Sequence, residues 1–395
     1  MQVPPASLHR YLQTPFDFSK SVITTAAGEV FQQTQSGTLW IQREHKPAVN
    51  LVVKNQQLVG FQITVRDTTA VIIQPGDESL TVLADWQAAH LLVTRPLAVA
   101  TQFTALVPMH DQVKLATEVL LPADGQPTHS TILSRTPYGR QLFYADYQRF
   151  VQRGYAVVVQ DVRGRNDSEG EWLPMAAERD DGRDTVDWIA AQPWSNQNVG
   201  MIGGSYGGYV QWAAASSGTP HLKALVSMVT AGGPFNDTIY KNGAPISGSL
   251  AWFFSTAEKH FHPENMQRND WPQLLGIRPL ENIPVVGLGH AIPGFTTFMT
   301  HPAYDDFMAN MDWKTRAAAI TVPALIQSGW FDDNGVGTTE TIRVTDHYPA
   351  GKRKLILGPW VHSGNAQYDL GPIHLGEHAL RADIDRNTFA GLTTF

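Results

Sequence analysis

The segment Val199-Gly200-Met201-Ile202-Gly203-Gly204-Ser205-Tyr206-Gly207-Gly208-Tyr209 decides how the rest of the chain is read. Its apolar start reads as a buried strand, and Tyr209–Ala215 is compatible with a helix. Between them stands G-x-S-x-G, the pattern of a strand that turns abruptly into a helix and leaves a serine hydroxyl exposed in a strained conformation. Small residues on both sides relieve the crowding of such a turn. In a chain with 33 glycines a lone match is weak, and a glycine-rich turn is the plain alternative. The flanking strand and helix supply the context the motif requires, and Ser205 is the candidate nucleophile.

Outward from this point the chain has a layered rhythm. Candidate strands are Thr131–Ser134, Tyr155–Gln160, Val199–Gly203, Ala224–Val229, Val322–Ile326 and Lys354–Leu357, with a helix expected over Glu178–Gln192. Buried runs alternating with helical intervals predict an α/β fold with a largely parallel sheet. The rhythm breaks over residues 234–319, rich in Phe, Trp, Pro and His, which predicts an inserted helical cap. Residues 1–97 read instead as a small β-rich module. Leu51-Val52-Val53 and Leu58–Ile63 flank a polar turn, and Val71-Ile72-Ile73 and Leu80–Leu83 flank Pro75-Gly76-Asp77. The core is then expected in two parts, 98–233 and 320–395.

Composition narrows the chemistry. The 395 residues hold no cysteine, which removes disulfides, thiolate metal sites and a cysteine nucleophile. Lys+Arg 29 against Asp+Glu 36 leaves a net charge of −7, no basis for nucleic-acid binding. No signal peptide is evident and no apolar run approaches a membrane span, so a cytoplasmic protein without membrane partners is expected.

A serine nucleophile needs a base and an orienting carboxylate, which in this fold follow in the order acid, then histidine. Val322–Ile326 leads into Gly329-Trp330-Phe331-Asp332-Asp333, and Lys354–Leu357 into Gly358-Pro359-Trp360-Val361-His362. Both lie past strand C-termini, where α/β folds build their sites. Spacing favours Asp332 only slightly over Asp333. The backbone N–H of Tyr206 is one expected oxyanion donor. The second is expected from Arg135-Thr136-Pro137-Tyr138-Gly139, where Tyr138 is either a donor or a packed aromatic. Asp161-Val162-Arg163 reads as an ion pair tying loops together. His260-Phe261-His262 with Glu264 has no standard metal spacing and reads as solvated. The cap aromatics, Trp252 and Phe254 among them, line a substrate pocket or pack internally.

Several stretches together resemble the CocE/NonD family of serine hydrolases, related to X-Pro dipeptidyl-peptidases, cocaine esterase and α-amino-acid ester hydrolases. They are Val107–Leu115, Arg135–Gly139, Arg153–Gly164, Gly203–Tyr209, His301-Pro302-Ala303-Tyr304-Asp305-Asp306, Gly329–Asp332 and Gly358–His362. The resemblance implies an α/β-hydrolase core with a cap. It implies Ser205 as nucleophile, Asp332 as acid, His362 as base, and the Tyr138 phenol beside the Tyr206 N–H as oxyanion donors. It implies ester or amide hydrolysis of a small molecule or short peptide, with an X-Pro exopeptidase as the alternative and no cofactor or metal. Amino-ester hydrolases of the family bind the substrate ammonium with carboxylates just after the acid. Here Asn334 and Gly335 follow Asp333, which argues against that specificity, with Asp237 in the cap as one candidate carboxylate. The family also continues into a C-terminal jelly-roll, whereas this chain has 33 residues after His362. Read one base out of frame, codons for Ala390-Gly391-Leu392-Thr393-Thr394-Phe395 can encode Trp-Phe-Asp-Tyr-Phe, a step typical of the helix before that domain. A one-base deletion and a natural or engineered short form are the two readings, and an inactive fragment or self-association through an uncovered face is the corresponding expectation.

Overall fold

The computed structural model describes residues 5–93 and 95–394. The chain divides into two compact units. One takes the chain up to Leu92 with Gly329–Asp332 and Leu357–Ala390; the other takes Val93–Ser328, Asp333–Ile356 and the residues from Gly391.

The first unit is built on a six-stranded antiparallel meander, β1 (Val22–Thr24), β2 (Val30–Gln33), β3 (Leu39–Gln42), β4 (Val49–Lys54), β5 (Gln57–Val65) and β6 (Thr68–Ile73). The β4–β5 turn closes with Asn55 and Gln56, both at positive φ (51° and 59°), the backbone that lets a two-residue hairpin follow the strand twist. Helix α1 (Pro5–Gln13) buries Leu8 and Tyr11 with Phe31, Trp40, Leu51 and Phe61. A second cluster joins Ile41 and Ala48 to Tyr368, Ala379 and Leu380. The expected strand over Leu80–Leu83 is absent. Thr81 Oγ1 accepts the Leu83 N–H (3.3 Å) and opens helix α2 (Leu83–Ala88), whose Trp86 is buried against Phe389. The apolar composition fitted a strand, but the burial of Trp86 requires helical spacing.

The second unit holds most of an eight-stranded sheet, the last residues of two of its strands, from Gly329 and from Leu357, being grouped with the first. Its strands are β7 (Val99–Pro108), β8 (Lys114–Pro122), β9 (His129–Thr136), β10 (Ala156–Asp161), β11 (Ser195–Gly204), β12 (Leu222–Met228), β13 (Ala324–Phe331) and β14 (Arg353–Val361), in the order β14-β13-β12-β11-β9-β10-β8-β7. From β10 to β13 every pairing is parallel, while β8 and β7 run antiparallel at one edge. In that edge pair β7 is mostly exposed, whereas β8 is buried along nearly its whole length, so only the inner strand of the two is covered. Helices α3 (Tyr144–Val151), α4 (Glu178–Ala190) and α5 (Tyr206–Ala215) connect the strands. Every residue of α5 is buried, as its apolar circumference demands. Between β12 and β13 come five short helices, α6 (Ser247–Ser255), α7 (Trp271–Leu274), α8 (Ile283–Leu288), α9 (Pro293–Met299) and α10 (Asp306–Met311); α11 (Gly335–Val344) and α12 (Ile384–Thr394) follow later in the chain.

Asn365 ties the first unit together. Its buried side chain donates to the carbonyls of Arg66 (3.1 Å) and Arg381 (2.7 Å) and accepts the Arg381 N–H (2.8 Å). Asn365→Ala strands three main-chain groups at once and is expected to destabilise this unit by about 2–4 kcal/mol. Urea unfolding followed by tryptophan fluorescence measures it, and an unchanged midpoint contradicts the role.

Candidate active site

Ser205 sits between β11 and α5 with φ 60° and ψ −120°, outside the regions an L-residue prefers. Main-chain bonds hold it there. Its N–H donates to the carbonyls of Met228 (3.0 Å) and Val229 (3.2 Å), and its own carbonyl accepts from Gly208, Tyr209 and Ala231. The motif glycines are not equivalent. A Cβ at Gly203 would stand 2.9 Å from the Gly207 carbonyl oxygen, whereas one at Gly207 would meet nothing closer than 3.8 Å. Tyr206 is the first residue of α5, so its N–H has no acceptor within the helix.

The phenol of Tyr206 is buried. It donates to Glu178 Oε1 (2.7 Å) and accepts the Met175 N–H (2.7 Å). Glu178 in turn takes Arg135 Nη1 (2.7 Å), and Arg135 Nε donates to Gln160 (2.7 Å). Burial raises the Glu178 carboxyl above its ordinary value against the pull of Arg135, and burial beside Glu178 lifts the Tyr206 phenol well above its own. This network had no signal in the sequence, since nothing in Glu178-Arg179-Asp180-Asp181 marks which acid turns inward.

Tyr138 follows β9. Its N–H is engaged by Thr136 Oγ1 (3.1 Å), so the group it can present is the phenol. Trp252 on α6 donates its indole N–H to that phenol oxygen (3.2 Å), and Phe261 meets the ring edge-on at 4.8 Å. The Trp252 ring also stacks on Tyr206 (5.8 Å, 21°). Phe254 is different. It is fully buried against Trp271 and beneath the Arg268 guanidinium, so it packs the cap and presents no surface to a substrate.

In the other unit His362 Nδ1 lies 2.8 Å from Asp332 Oδ1, with the Asp332 side chain fully buried. An ionised carboxylate only accepts, so Nδ1 carries the proton and Nε2 is left as the basic nitrogen. Asp333 is exposed.

Asp237 does not have the exposure an ammonium site needs. Its side chain is fully buried, and Oδ2 accepts the N–H groups of Gly232 (2.8 Å) and Gly337 (3.0 Å). It fastens the start of the cap to the first turn of α11. Lys241, 3.9 Å from its other oxygen, donates to the Asp333 carbonyl (2.7 Å). The expected Asp161–Arg163 pair is absent as well. Asp161 binds Arg140 (2.5 Å), while Arg163 spans Asp181 (2.6 Å) and Asp111 (2.7 Å), so each is taken by a partner outside the Asp161–Arg163 stretch. His262 pairs with Glu264 (2.9 Å), and among the described residues the His260–Glu264 stretch forms no three-ligand metal cluster.

Residues 111–364 match the family model of X-Pro dipeptidyl-peptidase (S15 family). The cocaine esterase of Rhodococcus sp. is 33% identical over 283 residues, 65% of this chain and 48% of that protein. An aminopeptidase from the marine sediment archaeon Thaumarchaeota archaeon superposes with a TM-score of 0.61 at 26% identity, covering 73% of this chain and 53% of its own. An α-amino acid ester hydrolase superposes at 0.59 with 24% identity, covering 71% and 52%, and supports the α/β fold alone. The chain spans about half the length of the curated relatives it matches. No helix among the described residues is long and apolar enough to cross a membrane.

Two outcomes test this geometry. Gly203→Ala is expected to lose about 2 kcal/mol or more from backbone crowding, while Gly207→Ala, in a helix with room for a methyl, stays within about 1 kcal/mol. Equal thermal shifts would contradict the assigned close approach. Burial raises Asp237 to about 6, above its unfolded value of 3.8. Its contribution to stability is therefore complete below pH ~4 and is lost as pH rises through ~6. Asp237→Asn does not titrate, so its stability relative to wild type should climb by about 3 kcal/mol between pH 4 and pH 8. Denaturant melts across that range check it, and a flat difference contradicts it.

Proposed function

The chain belongs to the X-Pro dipeptidyl-peptidase (S15) family, and from that premise we propose that it is a serine hydrolase cleaving carboxylic esters through an acyl intermediate on Ser205. The observation that carries the reading is Ser205 itself, held at φ 60° on the turn into α5. The 33% identity to a cocaine esterase supports an ester as substrate.

His362 Nε2 takes the Ser205 proton as Oγ attacks the ester carbonyl, and the tetrahedral oxyanion is received by the Tyr138 phenol and the Tyr206 N–H. On collapse the C–O bond to the alcohol breaks, and His362 returns the proton to the leaving oxygen. Water then repeats the sequence on the acyl-serine, its proton going to His362 and its hydroxyl to the acyl carbon. Asp332 keeps the imidazole in one tautomer and stabilises the imidazolium. The chemistry needs no cofactor or metal. An exopeptidase needs a group for a free amino terminus, and Asp237, a candidate from sequence, is occupied by two main-chain N–H groups. That favours a neutral ester.

Ser205→Ala should abolish turnover of p-nitrophenyl butyrate and labelling by a fluorophosphonate probe, with the fold retained by circular dichroism. Full activity in the variant, or no labelling of folded wild type, overturns the mechanism. Wild type should prefer the ester to alanyl-prolyl p-nitroanilide by about 100-fold or more in kcat/KM; the reverse preference assigns it to the exopeptidases.

A further inference from the structure

Arg165 is a fully buried guanidinium, and among the described residues no carboxylate pairs with it. Each of its hydrogen bonds ends on a main-chain carbonyl. Nε donates to Pro137 (2.9 Å), and Nη1 donates to Thr256 (2.9 Å) and to Glu258. Its plane lies over the Trp172 ring at 5.1 Å, and Nη2 has no hydrogen-bond partner. Burying a guanidinium with no carboxylate bonded to it is costly, and three carbonyl bonds, one aromatic face and the more distant Asp161 carboxylate only partly offset that cost. Burial lowers Arg165 to about 10, so it remains charged at neutral pH.

The carbonyls it selects are informative. Pro137 is the residue before Tyr138, so its peptide group sets the direction in which Tyr138 leaves the strand. Thr256 and Glu258 follow directly on α6, the helix whose Trp252 donates to the Tyr138 phenol. One loop is thus held to one cap helix twice, at its backbone by Arg165 and at its phenol by Trp252. An oxyanion donor must stand within about 2.7–3.1 Å of an oxygen that exists only in the transition state, so a small displacement removes most of its effect.

We propose that Arg165 is a positioning residue for the reaction, clamping the Pro137 carbonyl to the carbonyls after α6 so that the Tyr138 phenol is aimed at the developing oxyanion. The proposal rests on the reading of Tyr138 as an oxyanion donor. It assigns to the cap a part in setting the transition-state site in addition to any part in binding substrate.

A double-mutant cycle on the full chain with p-nitrophenyl butyrate tests it. Tyr138→Phe is expected to lower kcat about 100-fold. Arg165→Met is expected to lower kcat about 10–30-fold with KM within about twofold, and to add less than about twofold in the Tyr138→Phe background. Arg165→Lys keeps the charge and part of the bonding, and should recover kcat to within about threefold of wild type. A purely structural tie would instead add its full factor in both backgrounds, and that result overturns the proposal, as does wild-type kcat in Arg165→Met beside an impaired Tyr138→Phe. In both cases the Tyr138 reading survives. Wild-type kcat in Tyr138→Phe removes that reading and this proposal with it. Should Arg165→Met fail to fold, the loss in Arg165→Lys must likewise vanish in the Tyr138→Phe background, and its persistence there overturns the clamp.

Discussion

A strand that becomes a helix within one residue must put that residue where L-amino acids resist going. Ser205 bears this conformation, and the surroundings are arranged to keep it there. Two carbonyls at the end of β12 hold its N–H, three amides hold its carbonyl, and Gly203 lets the first turn of α5 lie against the strand. Backbone strain of this kind costs on the order of 1–3 kcal/mol and persists only where neighbouring structure over-determines it. Here the over-determination continues below the turn. The residue after the serine is pinned through its phenol to Glu178, and Glu178 through Arg135 to Gln160 on β10. The helix start, the strand edge and the neighbouring strand are thereby one hydrogen-bonded body.

The buried charges of the second unit share a habit. Asp237 is bound to two main-chain amides, Arg165 to three carbonyls, and Arg140 spans Asp161 and Asp167. Each fixes a loop that leaves a strand or enters the cap, where regular backbone pairing has ended. Side-chain charge substitutes for the missing ladder. Burial of such groups is a poor source of stability and a good source of geometric definition, because the alternatives leave a charge or an amide unsatisfied.

Much of this was legible in the residues. Strands such as β9, β10, β12 and β13 announce themselves as apolar runs because both of their faces are covered, and G-x-S-x-G carries its own steric explanation. The aspartate–histidine pair was placed by its position after two strands, with the choice of Asp332 over Asp333 coming from family resemblance. What sequence could not show were contacts distant along the chain. Glu178 and Tyr206 are 28 residues apart, and Arg165 and Glu258 are 93 apart. Asp237 was a candidate for a cationic substrate only through the family resemblance; the two amides that enclose it come from Gly232 and Gly337. Thr81 and Trp86 override the strand-like composition of Leu80–Leu83 for the same reason, since the partner Phe389 lies near the far end of the sequence.

The interleaving of the units has a consequence for the order in which the protein comes into being. The meander β1–β6 is synthesised before Tyr368, Ala379 and Leu380, which complete its second apolar cluster; Tyr368 lies 318 residues beyond its partner Asn50, and the other two follow it. At about 5–20 residues per second, roughly 15–60 seconds pass before they are made. Through that interval Ile41 and Ala48 lack Tyr368, Ala379 and Leu380, three of the five buried residues of their cluster. The same later segment, Leu357–Ala390, brings His362, so the base of the proposed reaction is translated within the stretch that completes the meander's second apolar cluster. The residue proposed as base and the residues that close this cluster therefore become available together.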